Sequence, residues 1–138
     1  MRYRTSTIVA FVALLLAAAT LTGCATSICS GAPDKATCQV DYYVNVAQQV
    51  DANLQALKAV PDLGASVVKA IDAYHAALPD AIQAARDGLA AYLAGQAKDY
   101  TTVMQYLIAL YTDVSKVVTA AGQPDPVAAA TATVRVSP

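Results

Sequence analysis

Three cysteines, one histidine and eight tyrosines hold most of the reactive side-chain chemistry in this 138-residue chain. Cys24, Cys29 and Cys38 cluster towards the N-terminus, while His75 stands alone mid-chain. The acidic residues are all aspartate, with no glutamate anywhere. A carboxylate-bridged metal centre in a helical bundle draws on glutamates and Glu-x-x-His pairs, so that chemistry is excluded. The zinc hydrolase H-E-x-x-H, the haem-attachment C-x-x-C-H and the lysine-bearing phosphate loop do not occur either. A serine triad would need His75 beside an aspartate and a nucleophile on a strained turn. Asp72 precedes His75 by three residues on the same helix face, but no G-x-S-x-G accompanies them. Haem held between His75 and Met104 is disfavoured because Met104 falls on an apolar helical stripe, where packing accounts for it. No catalytic residue, metal site or cofactor is therefore expected, and the chain does not read as an enzyme.

The first cysteine has a more specific context. Met1-Arg2-Tyr3-Arg4 is a basic start without acidic residues, and Ile8 to Ala19 is an unbroken apolar run. A membrane-spanning helix needs about 20 apolar residues, so this run is short for a permanent anchor and suits a signal peptide. It closes on Leu21-Thr22-Gly23-Cys24 rather than on an A-x-A-like cleavage site. That tetrad resembles the lipobox of bacterial lipoprotein precursors. The resemblance implies acylation of the Cys24 thiol, cleavage between Gly23 and Cys24, and a mature protein tethered to a membrane by its first residue. Residues 1–23 are then signal peptide, and no cofactor is implied beyond the covalent lipid on Cys24.

With Cys24 acylated, Cys29 and Cys38 remain as an even pair in an oxidising compartment, where disulfides persist. A bridge between them closes a loop of about ten residues, worth roughly 2–3 kcal/mol on the chain-entropy model. Their C-x8-C spacing is not the redox C-x-x-C, and no histidine lies near enough to suggest a metal. The resemblance also bears on location. An aspartate after the lipidated cysteine resembles the inner-membrane retention signal of Gram-negative bacteria. Ala25 stands there instead, which implies an outer-membrane anchor facing the periplasm in such a host. In a Gram-positive host the same anchor implies the outer leaflet of the plasma membrane.

Removing Arg2 and Arg4 from the nine basic residues leaves seven against ten acidic, a mature net charge of −3. No Lys/Arg cluster is present to track phosphates, so a nucleic-acid partner is not expected. The charges are spread singly, as on solvated helix faces.

The elements that carry these residues read as helices. From Tyr43, the positions Ala47, Val50, Leu54 and Leu57 recur in steps of three and four. Val68, Ile71, Leu78, Ile82, Ala85, Leu89 and Tyr92 continue the period. Tyr100, Met104, Leu107, Tyr111, Val114, Val118 and Ala121 form the clearest stripe. Pro-Asp occurs four times, at 33–34, 61–62, 79–80 and 124–125, and the first three suit helix starts. Asp99 is a further candidate cap, with Gly95 closing the helix before it. The stripe stays in phase across Pro79, and an 18-residue echo, five helical turns, relates Pro61…Tyr74 to Pro79…Tyr92. A kink at Pro79 and a true break at Pro61 follow.

The expected fold is all-α: an antiparallel three-helix bundle over about 34–59, 62–95 (kinked near Pro79) and 99–121. A four-helix bundle broken at Pro79 is the alternative. Residues 24–33 read as a tether, 34–121 as the helical domain, and 122–138, without amphipathic period, as a mobile tail. Tyrosine is the only aromatic left to the mature core, since the chain has no Trp and its single Phe lies in the signal segment. Most tyrosines suit core positions with hydroxyls reaching solvent. Tyr42 and Tyr106 fall off the main stripes and are the candidate partner-binding residues. Two classes of function remain. One is a non-enzymatic, lipid-anchored envelope protein whose bundle binds another envelope protein, in envelope maintenance or as a blocking factor. The other is a carrier holding a lipid or similar apolar molecule in a cleft between alanine-rich helices.

Overall fold

The computed structural model describes residues 28–134. The expected signal peptide and Cys24 lie outside the described residues, as do positions 135–138. The described chain is all-helical: α1 Lys35–Leu57, α2 Ala65–Leu93, α3 Thr101–Ala120 and α4 Pro126–Thr133.

Local chemistry sets the helix ends. The Asp34 carboxylate accepts hydrogen bonds from the Thr37 amide at 3.1 Å and the Thr37 hydroxyl at 2.6 Å, capping α1. Asp99, one residue before the N-cap Tyr100 of α3, accepts from the Thr101 amide at 2.8 Å and the Thr101 hydroxyl at 2.7 Å, satisfying the first amide of the helix. Gly95 (φ 70°) ends α2 in the left-handed region, where a side chain would be strained. Pro61-Asp62 lies in the turn between α1 and α2, with Asp62 at φ 64°, so the break at Pro61 is present. Pro79 instead lies inside α2, which runs unbroken through it. The proline forgoes one backbone bond there, and the apolar face continues on both sides with Ile71, Tyr74, Leu78, Ile82, Ala85 and Leu89 all buried.

Cross-helix contacts give the directions. Asp72, early in α2, meets Lys58 at the C-cap of α1, whereas Tyr74 and His75 further along α2 meet Ala47 and Asp51 further back in α1, so the two helices run antiparallel. Gly88 approaches Val103, and Tyr92 packs on Tyr100, which makes α2 and α3 antiparallel as well. The Tyr100 hydroxyl donates to Gln39 at 2.7 Å, returning the start of α3 to the start of α1. The ends of the long helices therefore collect at two poles: one holds the α1 N-terminus and the α2–α3 turn, the other the α1–α2 turn and the end of α3.

The core is continuous across all four helices. Val50 and Leu54 from α1, Ile71 and Tyr74 from α2, and Leu107, Tyr111 and Val118 from α3 are almost fully enclosed. Burying side chains of this size stabilises by roughly 1.5–3 kcal/mol each. No side-chain polar atom buried among the described residues is left without a hydrogen-bond partner.

Residues 126–133 correct the expectation of a mobile tail. They form α4, which packs against α1 and α3 with Pro126, Val127 and Ala130 buried. The fourth Pro-Asp motif starts this helix. Asp125 caps it by accepting from the Val127 amide at 2.9 Å, and Pro126 takes the first turn, where its missing N–H costs nothing. Asp125 Oδ1 also accepts from the Ser115 hydroxyl at 2.7 Å, and Asn53 Nδ2 donates to the Pro126 carbonyl at 3.2 Å. These bonds tie α4 to α3 and α1. Its eight residues are apolar or small on every side, so no period marks them as a helix. No helix among the described residues is long and apolar enough to cross a membrane.

Candidate functional site

The pole at the start of α1 holds the two downstream cysteines. Cys29 and Cys38 form a disulfide with Cα atoms 5.8 Å apart. Cys29 is buried beside the first turns of α1, so the bridge pins the incoming chain to the bundle five residues after Cys24.

The structure separates the two tyrosines that the sequence pairs as candidate partner residues. Tyr42 is buried, with its ring edge-on to Tyr43 at a centroid distance of 5.3 Å. It leaves the single apolar stripe because α1 touches α2, α3 and α4 and buries more than one face. Tyr42 is therefore a core residue, which corrects its assignment to a binding surface. Tyr106 is 56% exposed. Val117, also exposed, lies eleven residues further along α3. Eleven residues return to within about 20° of the same face, so the two apolar side chains share one outward ridge with Ala109 and Asp113 between them.

His75 has a partner the sequence did not indicate. Its Nδ1 lies 2.9 Å from Asp51 Oδ2, across the α1–α2 interface. Asp72, its neighbour by spacing, pairs instead with Lys58. No local pattern marks Asp51, because the contact spans 24 residues. This pair lines an open surface groove of about 420 Å³ with Gln48, Leu78, Pro79, Ile82, Gln83 and Arg86. A second open groove, about 340 Å³, lies between Asn45, Gln48, Gln49 and Val134.

None of the residues lining the His75 groove is Ser, Thr or Cys, so His75 has no hydroxyl or thiol there to activate. The Tyr74 hydroxyl is directed away, donating to the Ala47 carbonyl at 2.8 Å in a buried setting. Burial, reinforced by the Asp51 charge, raises its pKa far above the ordinary tyrosine range. Tyr111 is raised in the same way, chiefly by burial. Among the described residues no three His, Cys, Asp or Glu side chains converge to hold a metal ion. Met104 is a packed core residue of α3. Comparison with family models, with characterised proteins and with solved structures finds no match to this chain.

Proposed function

We propose that this is a bacterial envelope lipoprotein, anchored through acylated Cys24, whose helical domain is a non-enzymatic protein-binding module. The single observation that carries the reading is the N-terminal constellation. A basic start, an apolar run and Leu21-Thr22-Gly23-Cys24 precede a Cys29–Cys38 bridge that belongs in an oxidising compartment. The three long helices act as an antiparallel bundle, with α4 as a strap across α1 and α3. In a Gram-negative host, Ala25 assigns the anchor to the outer membrane, facing the periplasm.

The Tyr106–Val117 ridge supports the protein-binding role. Exposed aromatic residues supply area and a polar tip at low entropic cost, which suits interfaces. The groove around Pro79 is open and mixed in polarity, and this fits a protein contact better than an enclosed apolar ligand. Nucleic acid is disfavoured by the charge balance. The test is a photo-crosslinking amino acid at Tyr106 or Val117 in growing cells, with Lys69 as control. The reading expects one discrete adduct from both ridge positions and none from Lys69, reduced by Tyr106→Ala when the crosslinker is at Val117. Identical patterns at all three positions would contradict it.

A further inference from the structure

The pole of the bundle that carries the disulfide also carries exposed apolar side chains from two separate parts of the chain. Ile28 is 44% exposed immediately before Cys29, and Leu93 is 56% exposed at the end of α2. Tyr92, 37% exposed, packs its ring on Tyr100 at a centroid distance of 4.9 Å. Tyr100 in turn is hydrogen-bonded to Gln39, next to the bridged Cys38. One chain of contacts thus joins Leu93 and Tyr92 to Ile28. Ala94 and Gly95, which follow Leu93 in the chain, are exposed and uncharged.

The covalent chain limits where this pole can be. Ile28 follows Cys24 by four residue steps, which reach at most about 14 Å. If Cys24 holds its acyl chains in a bilayer, Ile28 and the α2–α3 turn cannot stand far from the headgroups. The charges at this pole are compatible with a lipid surface. The Asp34 and Asp99 carboxylates fold back on the first turns of α1 and α3. Lys35 and Lys98 beside them are exposed and belong to no ion pair among the described residues. Leucine and isoleucine entering the interface, tyrosine at headgroup level and lysines reaching phosphate is the layout of a membrane-contacting surface.

We infer that Ile28, Tyr92 and Leu93 form a membrane-facing tip that seats on the bilayer holding the Cys24 lipid, so that the bundle stands upright with the α1–α2 turn directed away. This rests on the lipid-anchor reading and adds an orientation to it. A short tether alone would leave the domain free to tilt, whereas an apolar tip gives it a second point of attachment. The tip also fixes how partners approach: the Tyr106–Val117 ridge starts about 8 Å along α3 and runs up the side of the bundle, away from the membrane.

The chain contains no tryptophan, so one introduced indole reports alone. Leu93→Trp and, as a matched control at the opposite pole, Val60→Trp are made in the full chain. Val60 is 43% exposed and lies beyond the far end of α1, a helix about 34 Å long. Each variant is produced in a bacterium that processes lipoproteins, and its mass is measured. It is then reconstituted in phosphatidylethanolamine–phosphatidylglycerol vesicles with or without brominated acyl chains, a contact-range quencher. The inference expects Leu93→Trp to lose most of its emission in brominated vesicles and to shift to the blue, with Val60→Trp unchanged. Quenching at Val60 would overturn the upright orientation. A protein carrying lipid on Cys24 whose Leu93→Trp emission ignores bromine would overturn the tip and leave the anchor standing. A mass without lipid on Cys24 would overturn both.

Discussion

The Tyr74 hydroxyl donates a buried 2.8 Å hydrogen bond to the Ala47 carbonyl, fastening the middle of α2 to the middle of α1. It explains how a large aromatic with a polar tip can be almost fully enclosed in the core. The Tyr74→Phe variant keeps the ring but loses the bond, with an expected cost of about 1 kcal/mol. Tyr74→Ala should cost about 3–5 kcal/mol because it also empties the space. Chemical denaturation of the two variants checks both values, and equal losses would contradict the division.

Replacing both Cys29 and Cys38 by serine should lower stability by about 2–3 kcal/mol, the value for a loop of this length. The unmodified protein should show the same loss on adding reductant, and the double variant should not respond to it. Far-UV circular dichroism during thermal unfolding reads both.

Gly88 of α2 packs tightly against Val103 of α3. A methyl group there would overlap the Val103 side chain. Alanine is the better helix former by about 0.8–1.0 kcal/mol, so Gly88→Ala at a site with room would stabilise. Here the overlap outweighs propensity, and a net loss of about 1 kcal/mol is expected. Adding Val103→Ala should recover stability beyond the sum of the single effects. Strict additivity in that double-mutant cycle would remove the steric account.

Asp34 and Asp99 make a pH prediction. Hydrogen bonds from Thr37 hold the Asp34 carboxyl below its ordinary 3.8, and bonds from Thr101 do the same for Asp99. A depressed carboxylate pKa contributes stability that is complete above 3.8 and is lost as pH falls through the lower folded value. The Asp34→Asn/Asp99→Asn pair keeps capping side chains but removes the titration. Its melting temperature should fall less steeply below about pH 4 than that of the unmodified protein. Parallel curves would contradict this.

The sequence's periodic stripes on α1, α2 and α3 correspond to helices because each buries a face wide enough to recur every three or four residues. The glycine and aspartate signals at 95, 99 and 34 mark helix ends through local bonds, so they too are legible in the chain. Two features needed tertiary contacts to emerge. Tyr42 lies off the stripe yet is buried, because a helix with neighbours on several sides has no single apolar face. His75 turns to Asp51 of α1 rather than to Asp72 of its own helix. A third, α4, eluded periodicity because its eight residues carry no polar face, although Asp125-Pro126 is a start signal of the same chemistry as Pro33-Asp34. Of the candidate site, the cysteine pairing was accessible from residue type and spacing, whereas the off-stripe positions of Tyr42 and Tyr106 did not separate the buried ring from the exposed one. The Val117 ridge and the apolar tip were not, since both depend on which faces the packed helices leave open.

The central claim is that Cys24 is the lipidated first residue of the mature protein. Intact-mass and N-terminal peptide mass spectrometry of the detergent-extracted protein tests it most directly, with Cys24→Ser made in parallel. The account predicts a mature chain beginning at Cys24 with a diacylglyceryl mass on that residue, and an unprocessed, lipid-free Cys24→Ser chain. A mature protein beginning at any other residue, or one beginning at Cys24 with an unmodified thiol, would contradict it.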